Sequence, residues 1–345
     1  MQELIHDSVN NNTDSTSKTS KVANSKSFVI KSLQNLYYQL FDSILSLISI
    51  RLDRIYFPFS YLERVKRVGE NYTLKVILWD DLPLLLLAFS WQVGNSLLHG
   101  VSILFLLVSF WCAYEVGYYE NDLIAEKYEQ QPKLSATYQQ HKQMMHTWLP
   151  WLWSLLLGSV GITLLKQAQG ANLLWQPKLD STISLLNPVF NPYLSWVTFL
   201  IALRLCFWVY NHLNKPTRAW FYMILQSFRY YGFLVVTSTN LIGTSLISSQ
   251  IISRSILYVI YRYSEGNSQS WPKHVPEKLL RCLILLFLLT AISFGAGNFN
   301  LWQSWQTWAV VAWCAIQGQG QIRRMLAQVK PVIEDGSNQA QPSIK

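Results

Sequence analysis

The stretch that decides the fold is residues 99–119, HGVSILFLLVSFWCAYEVGYY, in which Glu115 is the only Asp, Glu, Lys or Arg. A helix needs about 20 apolar residues to cross the hydrocarbon core of a bilayer, and this run has that length. The composition agrees, because 50% of the 345 residues are hydrophobic and 14% are charged. Since soluble domains carry about 25% charged residues, the sequence predicts an integral membrane protein.

Seven further apolar runs of similar length predict an all-α fold, a polytopic membrane bundle of about eight transmembrane helices. They lie at residues 77–95, 147–166, 193–211, 219–237, 240–261, 279–297 and 301–319. We therefore assign residues 76–320 to a transmembrane helical domain. All four cysteines fall within such runs, where we expect small buried packing residues rather than a disulfide or metal framework.

The segments outside this domain differ in composition. Residues 1–30 begin with a polar stretch rich in Asn, Ser and Thr, which predicts a disordered N-terminal tail without the apolar core of a signal peptide. Residues 31–75 carry apolar side chains at helical spacing and then basic ones, which predicts an amphipathic helical segment at the membrane interface. Residues 321–345 are predicted to form a cytoplasmic C-terminal tail.

The placement of Lys and Arg predicts how the chain is oriented. If the N-terminus is cytoplasmic, the outer connections carry only Lys166 and Lys178 of the 28 basic residues. This is the positive-inside bias, and it predicts a multi-pass protein with both termini in the cytoplasm. The net charge of +9 then faces anionic lipid. We therefore expect the lipid bilayer as a partner and no nucleic acid.

A column of carboxylates leads from the cytoplasmic end of the second run into the bundle. On one helix, with 100° per residue, its members fall within an arc of about 60°. They are Glu115, Asp122, Glu126 and Glu129. Because Mg²⁺ prefers hard oxygen ligands such as carboxylates, this face of the helix is a candidate metal site.

Arginines lie inside the fourth, fifth and sixth runs, two to three turns from the cytoplasmic ends. They are Arg204, Arg229 and Arg254. Their helix faces carry further polar residues, among them Gln226 and Tyr258, which predicts a shared cavity open to the cytoplasm. Since guanidinium groups bind phosphate oxygens in pairs, the arginines and carboxylates together favour a diphosphate. A structural interpretation stays open, in which these charges only pair with each other and hold the bundle together.

The end of the second run carries a motif. Residues 121–129, Asn-Asp-Leu-Ile-Ala-Glu-Lys-Tyr-Glu, with Pro132 just beyond, resemble the first aspartate motif, NDxxDxxxD, of the UbiA superfamily of intramembrane prenyltransferases. In that family a basic stretch with a tyrosine joins spans four and five, and residues 210–218, YNHLNKPTR, take that place. Residues 262–267, RYSEGN, take the place of the second aspartate motif.

The resemblance runs from about residue 70 to about residue 320, and the chain departs from the family pattern within it. Ala125 and Glu129 replace two aspartates of the first motif, Glu265 is the one acid of the second, and a ninth span is absent. Two hypotheses therefore stay open. The chain is either a divergent prenyltransferase or a non-catalytic scaffold or lipid- or pigment-binding subunit of a larger complex, with a membrane protein as partner.

The resemblance and the charged residues together imply transfer of an isoprenoid group from a polyisoprenyl diphosphate, with Mg²⁺, on the cytoplasmic side. The predicted catalytic residues are Asp122, Glu126, Glu129 and Glu265, of which the first three are the predicted ligands of Mg²⁺. The predicted substrate-binding residues are Asn121, Arg204, Lys215, Arg218, Gln226, Arg229, Arg254 and Tyr258. The acceptor stays open, and cyclisation of the prenyl chain would leave the same pattern.

Overall fold

The computed structural model describes residues 56–328 except 92, 130, 131, 133, 143–145, 170–190, 264–275 and 298. Over these residues every regular element is a helix, in agreement with the all-α prediction. The predicted disordered tail, the interfacial segment up to residue 55 and the end of the C-terminal tail from residue 329 lie outside the described residues.

Eight helical segments of the described chain follow the eight predicted runs in order. They are α1 (Leu82–Phe89, directly preceded by a π-helix over Thr73–Asp81), α2 (Ser96–Tyr128), α3 (Trp148–Gln169), α4 (Pro192–His212), α5 (Lys215–Tyr231), α6 (Leu241–Tyr263), α7 (Glu277–Gly295) and α8 (Trp305–Gln328). The shorter elements are a π-helical turn over Leu62–Lys66, an α-helical turn over Tyr138–His141, and 3₁₀ turns over Gly232–Val235 and Phe299–Gln303.

Asparagine side chains fix where several of these helices begin. Asn95 accepts a hydrogen bond at 3.1 Å from a backbone N–H in the first turn of α2, and Asn214 does the same for α5 at 3.0 Å. Asn191 and Asn240 cap α4 and α6 in the same way. Such a side chain satisfies a backbone donor that the helix leaves open, and it contributes about 1 kcal/mol.

Two boundaries differ from the sequence prediction. The first run is predicted at 77–95, but its helical segment covers 73–89, because the chain turns at Ser90 before Asn95 starts the next helix. The second run is predicted at 99–119, whereas α2 continues to Tyr128. Glu120, Asp122 and Glu126 therefore stay on the same helix, whereas Glu129 lies just beyond its end.

Of the described helices, α2, α3, α4 and α7 are long and apolar enough to cross a membrane. In the most apolar window of α7 only 28% of the residues are buried, and Phe287 and Phe294 are among its exposed side chains. An apolar helix with an outward-facing apolar surface needs lipid or another apolar partner around it. Over the described residues the chain is thus all-helical, with four candidate membrane-spanning helices.

A large part of the core lies along α2, which packs against both α3 and α4. Small residues bring α2 and α3 close together: the Ser109 hydroxyl donates to the Ser154 carbonyl at 2.6 Å, and the Ser154 hydroxyl donates to the Ser109 carbonyl at 2.7 Å. Small side chains with hydrogen bonds across the interface are how helices pack in lipid. On the α4 side, the Phe207 ring fills the space above Gly117. These contacts fix the part of α2 that continues into its acidic end.

Candidate functional site

A cavity of about 810 Å³ lies at the end of the bundle where α2, α4 and α6 end and α5 begins. Of the described residues that line it, the tyrosines are Tyr72, Tyr118, Tyr210, Tyr222, Tyr258, Tyr261 and Tyr263. The charged ones are Lys66, Arg67, Asp122, Glu129, Arg229 and Arg262, and the others are Val65, Ala125, Ser135 and Pro216. Pockets for small ligands range from about 300 to 1,000 Å³. The structure thus brings α2, α4, α5 and α6 together around one cavity, as the polar helix faces predict.

Positive charge exceeds negative charge among the cavity side chains. Among the described residues, four of them are cationic and two are carboxylates. The Arg262 Nε donates to the Tyr258 hydroxyl at 2.8 Å, with no ion pair to a carboxylate among the residues that the structure describes. Arg67 has an exposed ion pair with Glu70 at 3.5 Å, and such pairs contribute little. The cavity is therefore suited to an anion.

The tyrosines give the same cavity an aromatic wall with hydroxyl groups at its surface. Tyr222 and Tyr258 stack with ring centroids 3.9 Å apart, and the hydroxyls of Tyr210 and Tyr258 lie 2.6 Å apart in a hydrogen bond. Tyrosine side chains combine an apolar body with a polar tip. A ligand with an anionic group and an apolar part finds partners for both here.

Asp122 lies in the cavity and already has a cationic partner. The Lys66 ammonium donates to its Oδ1 at 2.5 Å, and the Tyr61 hydroxyl donates to its Oδ2 at 2.8 Å. Burial, and then the nearby Asp122 carboxylate, raise the pKa of the Tyr61 hydroxyl above its ordinary value. Tyr61 therefore stays protonated and remains a donor to this carboxylate.

The other two predicted metal ligands have separate partners. Glu129 also lines the cavity and accepts a hydrogen bond from Arg218 at 3.4 Å. Glu126 does not line it and instead accepts from Tyr138 at 2.9 Å and from Lys142 at 3.0 Å.

No group of three or more His, Cys, Asp or Glu side chains within the described residues is arranged to hold a metal ion. The predicted alignment of Asp122, Glu126 and Glu129 on one helix face therefore does not make a metal site. Each of these carboxylates pairs with a cation from a different part of the chain. The arrangement of Asp122, Glu126 and Glu129 does not fit the Mg²⁺ site that the sequence predicts.

The Glu115 carboxylate holds the chain that precedes the first π-helical turn. Glu115 is fully buried and accepts from the Tyr56 hydroxyl and the Leu62 N–H, the latter at 2.7 Å. It also accepts from the Phe59 N–H at 2.9 Å. Phe59 has a φ of 70°, in the left-handed region that costs a residue with a side chain about 1–3 kcal/mol. Glu115 thus stabilises a bend that the chain would not adopt alone.

This bend brings Lys66 and Arg67 to the cavity. From the sequence we assigned both only to a basic segment at the membrane interface, and they were not among the predicted site residues. The sequence feature that could have indicated Lys66 and Arg67 is the basic cluster in which they lie. Nothing in the spacing of that cluster indicates that the segment folds back onto the end of α2. That contact depends on the fixed bend at Phe59 and on the buried Glu115.

A buried ion-pair network lies next to the cavity and engages two predicted substrate-binding residues. Asp81 accepts from the Arg229 Nε at 3.0 Å and from the Tyr230 hydroxyl at 2.7 Å. Arg254 is 3.4 Å from the same carboxylate. Arg229 lines the cavity although its guanidinium is held in this ion pair, whereas Arg254 does not line the cavity.

Asp80 continues the network toward α7. It accepts from Arg254 at 2.8 Å and from Arg281 at 2.8 Å, and Arg281 also donates to Gln250 at 2.7 Å. Arg229 and Arg254 are thus paired within the bundle, although their partners come from the π-helix and, for Arg254, also from Glu277 of α7, and not from the carboxylate column. The sequence signal was the Asp80-Asp81 pair within an apolar run, which an isolated span would not tolerate.

The predicted site residues divide into three groups. Those that line the cavity are Asp122, Glu129, Arg229 and Tyr258. Those that the structure places elsewhere are Asn121, Glu126, Arg204, Arg218, Gln226 and Arg254. The Lys215 side chain and Glu265 lie outside the described residues. Arg204 pairs with Glu120 at 2.7 Å, and Arg218 adjoins the cavity through Glu129.

Comparison of the chain with protein-family models, with curated proteins and with solved structures gives no match.

Proposed function

We propose that this chain is a multi-pass membrane protein that binds the diphosphate of an isoprenoid amphiphile in the tyrosine-lined cavity. In this proposal the eight helical segments α1 to α8 cross the bilayer, both termini are cytoplasmic, and the cavity opens to the cytoplasm. The observation that carries it is the combination of four cationic side chains with seven tyrosines around about 810 Å³. The orientation rests on the distribution of Lys and Arg.

We further propose that the chain transfers the bound isoprenoid group, as a divergent member of the UbiA superfamily would. Departure of the diphosphate breaks the allylic C–O bond, and both electrons leave with the diphosphate oxygen. Lys66, Arg67 and Arg262 would stabilise that negative charge, while the faces of Tyr222 and Tyr258 would stabilise the allylic cation. An acceptor nucleophile then bonds to the same carbon.

The sequence predicts a Mg²⁺ at Asp122, Glu126 and Glu129 for neutralising the diphosphate, but these carboxylates do not converge on one point as the side chains lie. As the side chains lie, such an ion would have to displace Lys66 from Asp122, because that carboxylate is engaged by Lys66 and Tyr61. We therefore base the binding and the departure of the diphosphate on the cationic side chains alone.

A second function, a non-catalytic lipid- or pigment-binding subunit of a membrane complex, is favoured by the same ion pairs. Each predicted catalytic carboxylate that the structure describes already has a cationic partner, as expected of a site that only binds. The two functions share the ligand site and differ in whether the C–O bond breaks.

The test is to purify the chain in lipid nanodiscs and to titrate it with geranylgeranyl diphosphate in the presence of Mg²⁺. Arg262→Gln should weaken binding about tenfold or more, because it removes one charged hydrogen-bond donor from the cavity. The matched control is Arg204→Gln, which removes an arginine that pairs with Glu120 outside the cavity.

Equal loss of affinity in both variants, or no binding to the wild-type chain, would refute the proposed site. Release of inorganic diphosphate from the bound ligand, measured with membrane extract as the source of acceptor, separates the enzyme from the binding subunit. Binding without release would assign the second function.

A further inference from the structure

We propose that the anion site of this cavity works without a divalent metal, because the Lys66 ammonium takes the place of a metal ion beside Asp122. This inference rests on the proposed binding of a diphosphate and concerns how the charge of that group is neutralised. It assigns Lys66 as a ligand-binding residue and Asp122 as a positioning residue, which orients the ammonium and does not bind a metal.

The first support is the geometry around Asp122. Lys66 Nζ lies 2.5 Å from Oδ1, and the Tyr61 hydroxyl lies 2.8 Å from Oδ2, so each carboxylate oxygen has a donor. The Asp122 side chain is 6% exposed, whereas that of Lys66 is 23% exposed. The carboxylate is therefore enclosed, and its partner ammonium keeps access to the cavity that both residues line.

The second support is the way in which Lys66 is held. It ends the π-helical turn Leu62–Lys66, whose first N–H donates to the buried Glu115 carboxylate at 2.7 Å. The Thr137 hydroxyl donates to the Arg64 carbonyl within the same turn at 2.9 Å. Contacts at the first and the middle residue of the turn hold the backbone that carries Lys66, and Asp122 holds its ammonium, so that little ordering is required when a ligand binds.

The third support is electrostatic. A divalent ion bound to Asp122 would lie within a few ångströms of the Lys66 ammonium, and like charges at that distance repel strongly in a poorly solvated site. Mg²⁺ also requires near-octahedral oxygen coordination, and no three acidic or histidine side chains converge on one point within the described ranges. The ammonium and Mg²⁺ are therefore alternatives at this position.

The experiment titrates the purified full chain in nanodiscs with farnesyl diphosphate by calorimetry, once with Mg²⁺ and once with EDTA. We expect the dissociation constants of the wild-type chain in the two buffers to agree within about threefold, since the cationic side chains supply the neutralising charge. Lys66→Met should weaken binding in EDTA about tenfold or more, and Lys66→Arg should retain most of it.

Two further variants separate the two roles of Asp122. Asp122→Asn removes the carboxylate that orients the ammonium, so it should weaken binding by the same factor in Mg²⁺ and in EDTA, and by less than Lys66→Met does. The matched control is Lys142→Met, which removes another lysine paired with a carboxylate of α2, at 3.0 Å from Glu126, outside the cavity. It should bind as the wild type does in both buffers.

The inference is overturned if EDTA abolishes binding that Mg²⁺ restores, or if Asp122→Asn abolishes binding in Mg²⁺ while Lys66→Met does not. Either result would assign Asp122 to a metal, and the proposed diphosphate site would stand. Absence of binding to the wild-type chain in both buffers would instead remove the proposed function, and this inference with it.

Discussion

Replacing Asp81 by asparagine keeps the size of the side chain and removes one buried charge. Its carboxylate is 1% exposed and forms ion pairs with Arg229 and Arg254, and it also accepts from the Tyr230 hydroxyl at 2.7 Å. Asparagine offers one acceptor oxygen and turns an amide N–H₂ toward two guanidinium groups. Both arginines would then remain buried, Arg229 without an acidic partner among the described residues and Arg254 with Asp80 and Glu277.

Removal of one partner from a buried ion pair costs about 3–5 kcal/mol, because the other charge stays desolvated. The matched control is Glu70→Gln, which breaks the exposed ion pair with Arg67, with side chains 54% and 44% exposed. An exposed pair contributes about 0–1 kcal/mol. At roughly 2–4 °C for each kcal/mol in a domain of 150–250 residues, we expect Asp81→Asn to lower Tm by about 10 °C.

The four cysteines provide the assay, because all of them are buried and free of disulfides. A dye that becomes fluorescent on reaction with thiols reports unfolding as the protein in detergent is heated. The double variant Asp81→Asn with Arg229→Gln should recover part of the loss, since it removes one of the cations left behind. A Tm of Asp81→Asn equal to that of Glu70→Gln would refute the argument that this network stabilises the fold.

Two further predictions test the packing of α2 and the bend that it holds. Gly117→Ala would place its Cβ in steric overlap with the Phe207 ring and should lower Tm in the same dye assay. Gly320→Ala meets nothing within 4 Å and should leave Tm unchanged or raise it slightly. Glu115→Ala should release the segment before α1, so that limited trypsin digestion followed by mass spectrometry finds faster cleavage after Lys66 than in the wild type. Equal Tm values for Gly117→Ala and Gly320→Ala would contradict the close packing of α2 against Phe207. Unchanged cleavage in Glu115→Ala would contradict the role of Glu115 in holding the bend.

The order and type of the helices could be predicted because the apolar runs are long and separated by polar turns. The asparagine caps and the continuation of α2 through its acidic end are local features, and they depend on residues adjacent in sequence. The shared cavity of α2, α4, α5 and α6 was also predictable, since polar side chains on apolar helices must face one another.

The partners of individual charged residues could not be predicted in the same way. Periodicity aligns Asp122, Glu126 and Glu129 on one helix, yet their partners are Lys66, Lys142 and Arg218 from three other parts of the chain. Which cation reaches which carboxylate depends on the tertiary path of the connecting segments. Arg229 of α5 and Arg254 of α6 pair with Asp81, and Arg254 also pairs with Asp80, because both carboxylates of the π-helix are buried in the protein.

The most direct test of the cavity's function compares two ligands that share their apolar part. Farnesyl diphosphate and farnesol are titrated into the wild-type chain in nanodiscs, with the same lipid and salt. The cationic side chains of the cavity predict that the diphosphate binds about 100-fold tighter than the alcohol, because at least two charged hydrogen bonds are lost without it. Equal affinities for the two ligands would contradict the assignment of this cavity to an anionic headgroup.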